Sequence, residues 1–281
     1  CGEILRIEDF ILIARALVEL GIDKIRLSGG EPLVRRGVIT LAREIGSIEG
    51  LKDFAVTTNG ILLPQLSKDL WEAGVKRVNI SLDTLNEEKY RFITRGGDLK
   101  QALDGLDTSL ETGFEQVKIN VVLMKNFNEN EIEEFVKMTL ERPIDVRFIE
   151  LMPFKGQQVF AYGRYLPGSE VLNRCKTLKP IESDDLSAPA KYYRLPGAIG
   201  RVGLIEPLSH KFCSRCNRLR ITADGKILSC LHSQRELDLR GALHNRDELK
   251  SVILQSVMEK PKTHHLSEGQ LMERDMGKIG G

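Results

Sequence analysis

The 281 residues hold no apolar run approaching the roughly 20 that a membrane span requires. No signal-peptide pattern opens the chain, so neither a membrane nor secretion is expected. There is no G-x-x-x-x-G-K-[ST] and no G-x-G-x-x-G, which removes the two commonest nucleotide cradles. An excess of one charge sign is also missing: 41 Lys and Arg stand against 40 Asp and Glu, a formal net charge of +1. That balance excludes a general nucleic-acid binder, so any basic site must be local. Cysteine is scarce, five in all, and clustered rather than spread as a disulfide framework. This usage suits a reducing, cytoplasmic setting.

Three of those cysteines form the most informative stretch, C-x2-C-x13-C at Cys213, Cys216 and Cys230. A C-x2-C pair places two thiolates on one tight turn. The third follows a predicted hairpin whose turn is Ala223-Asp224-Gly225-Lys226. Three sulfurs can converge on one centre. A structural zinc site takes four protein ligands, and His210 or His232 would have to complete it; a [4Fe–4S] cluster held by three leaves one iron open to a substrate. Arg218 and Arg220 lie two apart, so an extended backbone turns both to one side. Arginines beside an open metal position suit a phosphorylated substrate. Cys175 stands alone and reads as an ordinary buried thiol.

The first half of the chain alternates regularly. Helical periodicity over residues 8–20, 38–46, 65–73, 86–93, 99–112 and 129–141 separates strands at 24–27, 54–57, 77–81, 117–123 and 144–149. Strands recurring every 25–35 residues predict right-handed βαβ units in a parallel sheet, open or closed. Arg26 and Ser28, Thr57 and Asn59, then Asn79, Ser81 and Asp83 lie near the ends of the first three strands. Lys118, Asn120 and Arg147 fall within the next two. Two-residue spacing sends each set to one face, and such sheets place ligands at the strands' carboxyl ends. A polar, net basic pocket is expected.

The loop Ser28-Gly29-Gly30-Glu31-Pro32 lets backbone approach a ligand closely, and a Glu before Pro stays extended and can be aimed. After residue 151 the alternation stops. Residues 153–190 read as an irregular excursion, 190–194 and 200–205 as two strands of a small separate subdomain, and 247–259 as a last helix. The end, Ile279-Gly280-Gly281, reads as flexible.

In combination the stretches K-I-R-L-S-G-G-E-P-L-V-R-R, V-T-T-N-G, R-V-N-I-S-L-D, V-K-I-N-V-V, R-F-I-E-L-M, A-K-Y-Y-R and F-C-S-R-C-N-R-L-R, with Cys230 and the Gly-Gly end, are specific. The sequence resembles the GTP 3′,8-cyclase family, radical S-adenosylmethionine (SAM) enzymes of molybdenum-cofactor biosynthesis. The resemblance implies an α/β fold, a partial (β/α)6 barrel lacking its first strand here, whose open side a C-terminal subdomain covers. The division would fall at 1–152 and 153–281. It implies that Ser28, Gly29, Gly30, Glu31, Ser81 and Met152 contact SAM. Arg26, Thr57, Lys118, Arg218, Leu219 and Arg220 would face GTP, with Gly280 and Gly281 inserted into the pocket. Cys213, Cys216 and Cys230 would hold an auxiliary [4Fe–4S] cluster. No acid–base residue is assigned.

The family's first cluster, which cleaves SAM, is held by C-x3-C-x2-C, and no such run occurs here; Cys1 is the one cysteine near the start. The resemblance therefore implies a chain without its N-terminal cluster segment, unable by itself to start the radical chemistry. Expected partners are GTP, an electron-donor protein and a downstream cyclic pyranopterin monophosphate synthase, and a homodimer is allowed. Two rival readings remain: another radical-SAM enzyme with an auxiliary cluster, for instance one modifying a peptide, and a non-catalytic zinc-ribbon module on an α/β scaffold.

Overall fold

A computed structural model describes residues 4–153, 157–182, 188–233 and 235–261. The chain divides into two compact units, and neither is a single stretch of sequence. Unit 1 gathers residues 1–58, 65–78 and 217–281; unit 2 gathers 59–64 and 79–216. Among the described residues no helix is long and apolar enough to cross a membrane.

Unit 1 begins with helix α1 (Ile7–Glu19), whose Ile13, Ala16 and Leu17 form the apolar stripe that periodicity required. Its entry is closed by a reciprocal cap, in which Asp9 takes the backbone N–H of Arg6 at 2.9 Å. Strand β1 (Lys24–Leu27) pairs in parallel with β2 (Asp53–Thr58), Lys24 opposite Asp53, across helix α2 (Val38–Gly46). Helix α3 (Leu63–Glu72) and the first residues of β3 (Arg77–Ser81) follow. The chain returns to this unit with a three-stranded antiparallel sheet of β9 (Arg220–Ile221), β10 (Lys226–Leu228) and β11 (Leu237–Asp238). Helix α9 (Arg246–Met258) closes it, capped by Asn245, which accepts from the N–H groups of Asp247 and Glu248. One core joins both ends of the chain: Leu5, Ile13 and Leu17 pack with Ile227, Leu239, Leu249 and Ile253.

Unit 2 contains α4 (Glu87–Ile93), α5 (Leu99–Thr112), β4 (Gln116–Leu123), α6 (Ile132–Glu141) and β5 (Ile144–Glu150). Asn86 and Asp98 cap α4 and α5, and Gly113, at φ 84°, ends α5 in the left-handed conformation. Strands β4 and β5 are parallel, with Lys118 opposite Asp145 and Asn120 opposite Arg147. The expected alternation is therefore present.

Two expectations for the second half fail. Residues 153–190 are not wholly irregular, since α7 (Gln158–Gly163), α8 (Ser169–Arg174) and β6 (Lys179–Ile181) form there. Strands β7 (Ala190–Arg194) and β8 (Arg201–Ile205) do not make a separate subdomain. β8 pairs in parallel with β5, and β7 then runs antiparallel to β8, with β6 beyond it. Burial explains this. Val202 and Leu204 are 0% and 1% exposed, so β8 needs a covered sheet interior, and the free edge of β5 supplies it.

Candidate functional site

The assigned residues are spread over both units, and each group is described where it stands. In unit 1, β1 leads into the glycine loop. Gly29 sits at φ 149°, which side chains rarely adopt, and a Cβ there would meet nothing within 4 Å among the described residues. The loop is open on that side. Glu31 keeps the extended backbone expected before proline, at φ −136° and ψ 110°. Its Oε1 accepts from the N–H of Leu33 at 3.0 Å and from the hydroxyl of Thr58 at 2.8 Å. The glutamate thus ties the loop to the end of β2. One residue earlier, the Thr57 hydroxyl is buried and has no hydrogen-bond partner among the described residues. A buried orphan hydroxyl is costly, and a ligand that bonds it would remove the cost. Arg26 is exposed on β1, and Ser28 is half-buried.

The cysteine stretch enters unit 1 at Asn217. Leu219 and Ile221 pack against the unit's core, which leaves the opposite side of this extended segment to Arg218 and Arg220. The hairpin forms where expected, with Gly225 at φ 80° and the Thr222 N–H donating to Lys226 O at 2.9 Å. Cys230 lies past its far strand, and its sulfur accepts the N–H of His232 at 3.4 Å.

In unit 2, one face of β4, β5 and β8 carries a polar ladder. Lys118 Nζ lies 3.8 Å from Asp145 Oδ2, both buried. Asp145 also takes Arg201 bidentately, Nε to Oδ1 at 2.8 Å and Nη2 to Oδ2 at 2.6 Å. Two residues on, Arg147 donates to Asn120 Oδ1 at 2.9 Å and to Asn79 Oδ1 at 2.7 Å. Lys118 and Arg201 share the Asp145 carboxylate and Arg147 is met by two neutral amides, which leaves this ladder net basic. Asp145 was the partner that the reading missed, although its i,i+2 relation to Arg147 marks the same face. Ser81 is exposed at the end of β3, and Met152 is half-buried beyond β5. Asp83 accepts the N–H of Val122 at 2.8 Å, and burial pushes its carboxyl up to about 6.

Glu150 ends β5 at 1% exposure. It accepts from Tyr165 at 3.1 Å, from the N–H of Gly168 at 3.2 Å, from the N–H groups of Leu208 and Ser209 at 3.0 Å each, and from the Ser209 hydroxyl. Burial alone would raise its pKa, but these donors hold it below the usual carboxylate range. Burial and the Glu150 charge push Tyr165 up to about 12. The carboxylate anchors the segment that runs into Cys213. There Cys213 and Cys216 share a tight turn, with Cys216 N–H donating to Cys213 O at 3.1 Å. Both are half-buried and in no disulfide, as is Cys230, while Cys175 is buried and its thiol pushed up by burial. His210, one proposed fourth zinc ligand, instead lies with Nδ1 3.3 Å from Glu206 Oε2. Among the described residues no three His, Cys, Asp or Glu side chains stand as a ready metal cage. The donor chemistry of three thiols outside any disulfide fits an iron–sulfur centre, although the described residues show no preformed cage. Gly280 and Gly281 lie outside the described residues.

Residues 2–139 match the model of the Radical SAM superfamily, and residues 144–266 match Molybdenum Cofactor Synthesis C. The GTP 3′,8-cyclase of Peptoclostridium acidaminophilum is 49% identical over 280 residues, covering 99% of this chain and 86% of that protein. The chain belongs to the GTP 3′,8-cyclase family. The family's enzyme from Alkaliphilus oremlandii (strain OhILAs) is 48% identical, over 99% of this chain and 88% of its own length. The crystal structure of Streptococcus suis SuiB bound to S-adenosylmethionine shares the fold at a TM-score of 0.61 and 17% identity, over 86% of this chain and 58% of that one. Membership of the radical SAM superfamily carries the use of SAM and a [4Fe–4S] cluster.

Proposed function

We propose that this chain carries out the GTP 3′,8-cyclase reaction's substrate handling, the conversion of GTP to (8S)-3′,8-cyclo-7,8-dihydroguanosine 5′-triphosphate in molybdenum-cofactor biosynthesis. Its likeness to cyclases along 99% of its length carries this reading. The iron–sulfur and SAM groups, when bound, supply the radical chemistry. The chain's own residues bind, orient and exclude water. Residues 1–152 are assigned to SAM binding, and within 153–281 the auxiliary cluster is assigned to the stretch from Cys213 to Cys230, since β6, β7 and β8 extend the sheet of β5.

Ser28, Gly29, Gly30 and Glu31 receive SAM, with Ser81 and Met152 as further contacts. The open loop at Gly29 admits a ligand's polar end, and Glu31, fixed by Leu33 and Thr58, gives that loop one shape. Arg26, Thr57, Lys118, Arg218, Leu219 and Arg220 are assigned to GTP. Leu219 serves by turning its two neighbours away from the core. Cys213, Cys216 and Cys230 hold the auxiliary cluster, and Gly280 and Gly281 complete the pocket. No residue here is assigned to the SAM-cleaving cluster, because the 281 residues contain no C-x3-C-x2-C run. The substrate is GTP, and an electron-donor protein and a downstream synthase are its expected partners.

Binding of GTP to the 281-residue chain tests the reading without requiring turnover. Equilibrium dialysis is expected to show GTP retained at least tenfold better than CTP. Thr57→Val should weaken GTP by about tenfold, the value of one good hydrogen bond, while leaving the thermal midpoint unchanged or higher, since the orphan hydroxyl is gone. Equal affinity for GTP and CTP, or none for either, overturns the assignment.

A further inference from the structure

Lys260 lies two residues past the end of α9, where a lysine ordinarily bonds the last carbonyls of its own helix. It does something else. Its Nζ donates to Arg218 O at 2.6 Å and to Ser229 O at 2.5 Å, carbonyls on the two arms of the β9–β10 hairpin. The closed end of that hairpin is held without help. Thr222 and Lys226 exchange bonds there, including Lys226 N–H to Thr222 Oγ1 at 2.9 Å, and Gly225 makes the turn. The open end is different. Among the described residues the ladder's last pair is Leu228 with Arg220, and beyond it the arms continue to Ser229-Cys230 and back to Arg218. Those arms carry a cluster thiol and a GTP arginine.

We propose that Lys260 is a positioning residue that clamps the open end of this hairpin and sets Cys230 and Arg218 at a fixed separation. A single ammonium has three donors and no acceptor, so it can bond two carbonyls that cannot bond each other. Its own anchor is firm. Helix α9 is held by Leu249 and Ile253, 2% and 0% exposed, and by the Asn245 cap. The Ser229 carbonyl precedes Cys230 directly, so fixing it restricts where the sulfur stands. The His232 N–H on that sulfur at 3.4 Å restricts it from the other side. Lys260 touches neither GTP nor a metal in this role and acts through the two arms.

The proposal rests on the assignment of Cys230 and Arg218 above, and the test separates the two. The 281-residue chain, Lys260→Met and Lys260→Arg are each reconstituted anaerobically with iron and sulfide. Visible absorbance per chain, GTP affinity, SAM affinity and thermal midpoint are then read. Lys260→Met is expected to unfold within a few degrees of the parent and keep its SAM affinity. It should lose at least half the absorbance and bind GTP about tenfold more weakly, and Lys260→Arg should restore most of both. A Met variant that loads iron and binds GTP as the parent does overturns the clamp, as does one whose losses only follow a collapsed thermal midpoint. If the parent itself takes up no iron and no GTP, the functional reading fails, and amide exchange still decides the clamp. At least tenfold faster exchange in residues 217–230 of Lys260→Met alone supports it, and unchanged exchange overturns it.

Discussion

At the residue scale, the chain reads best where polar side chains occur in pairs two apart. Asn120 beside Lys118 signalled a common face, and the bonds from Arg147 to Asn120 and Asn79 realise it. Single residues were harder. Nothing near Glu150 in the sequence announces that it will collect donors from 165, 168, 208 and 209, because those contacts exist only after the chain has folded back. Lys260 escaped for the same reason. Asp83 allows a quantitative check. Burial pushes its carboxyl up to about 6 from an ordinary value of 3.8. Between those values the folded chain holds a proton that the unfolded chain has released, so this group's contribution falls as pH rises through that window. It is fully lost above pH 6, a penalty of at most about 3 kcal/mol. Asp83→Asn keeps an oxygen for the Val122 N–H and removes the charge. Urea unfolding should find it equal to the parent near pH 4 and more stable at pH 7; a parent and variant with parallel pH curves would refute this.

At the scale of elements, hydrophobic period and punctuation located the helices and strands of the first half to within about three residues. Capping residues such as Asn86, Asp98 and Asn245 stand where the helices begin. The second half was misread because β7 and β8 look like an isolated hairpin in sequence, and only the unfilled edge of β5 shows that they belong beside it. Backbone approach was also invisible. A Cβ on Gly105 of α5 would stand 2.1 Å from Gly60 O, and Gly60 itself sits at φ 88°, where an added Cβ would stand 3.2 Å from Ile80 Cγ2. Helix α5 therefore rests directly on the turn that follows V-T-T-N-G. Gly105→Ala ordinarily favours a helix, by about 1 kcal/mol, but here the clash decides. The variant is expected to lose about 1–3 kcal/mol, read as a lowered thermal midpoint, and a midpoint at or above the parent's would show that the contact yields freely.

For the whole molecule, a net charge of +1 hides a local surplus, since Lys118 and Arg201 share the carboxylate of Asp145 while Arg147, two residues along β5, is held by the neutral amides of Asn120 and Asn79. Composition excluded a general polyanion binder, and position supplied what composition could not. The family was legible because its motifs fall at strand ends and turns, where chemistry limits the choice of residue. The geometry of Cys213, Cys216 and Cys230 was not, because sequence spacing says which thiols could share a centre and not how the backbone would deliver them. The most direct test is metal analysis of the 281-residue chain, purified and reconstituted without oxygen. The account predicts about four iron and four sulfide per chain, with broad absorbance near about 400 nm that Cys230→Ala abolishes. A colourless chain carrying one tightly held zinc at those sulfurs would contradict it.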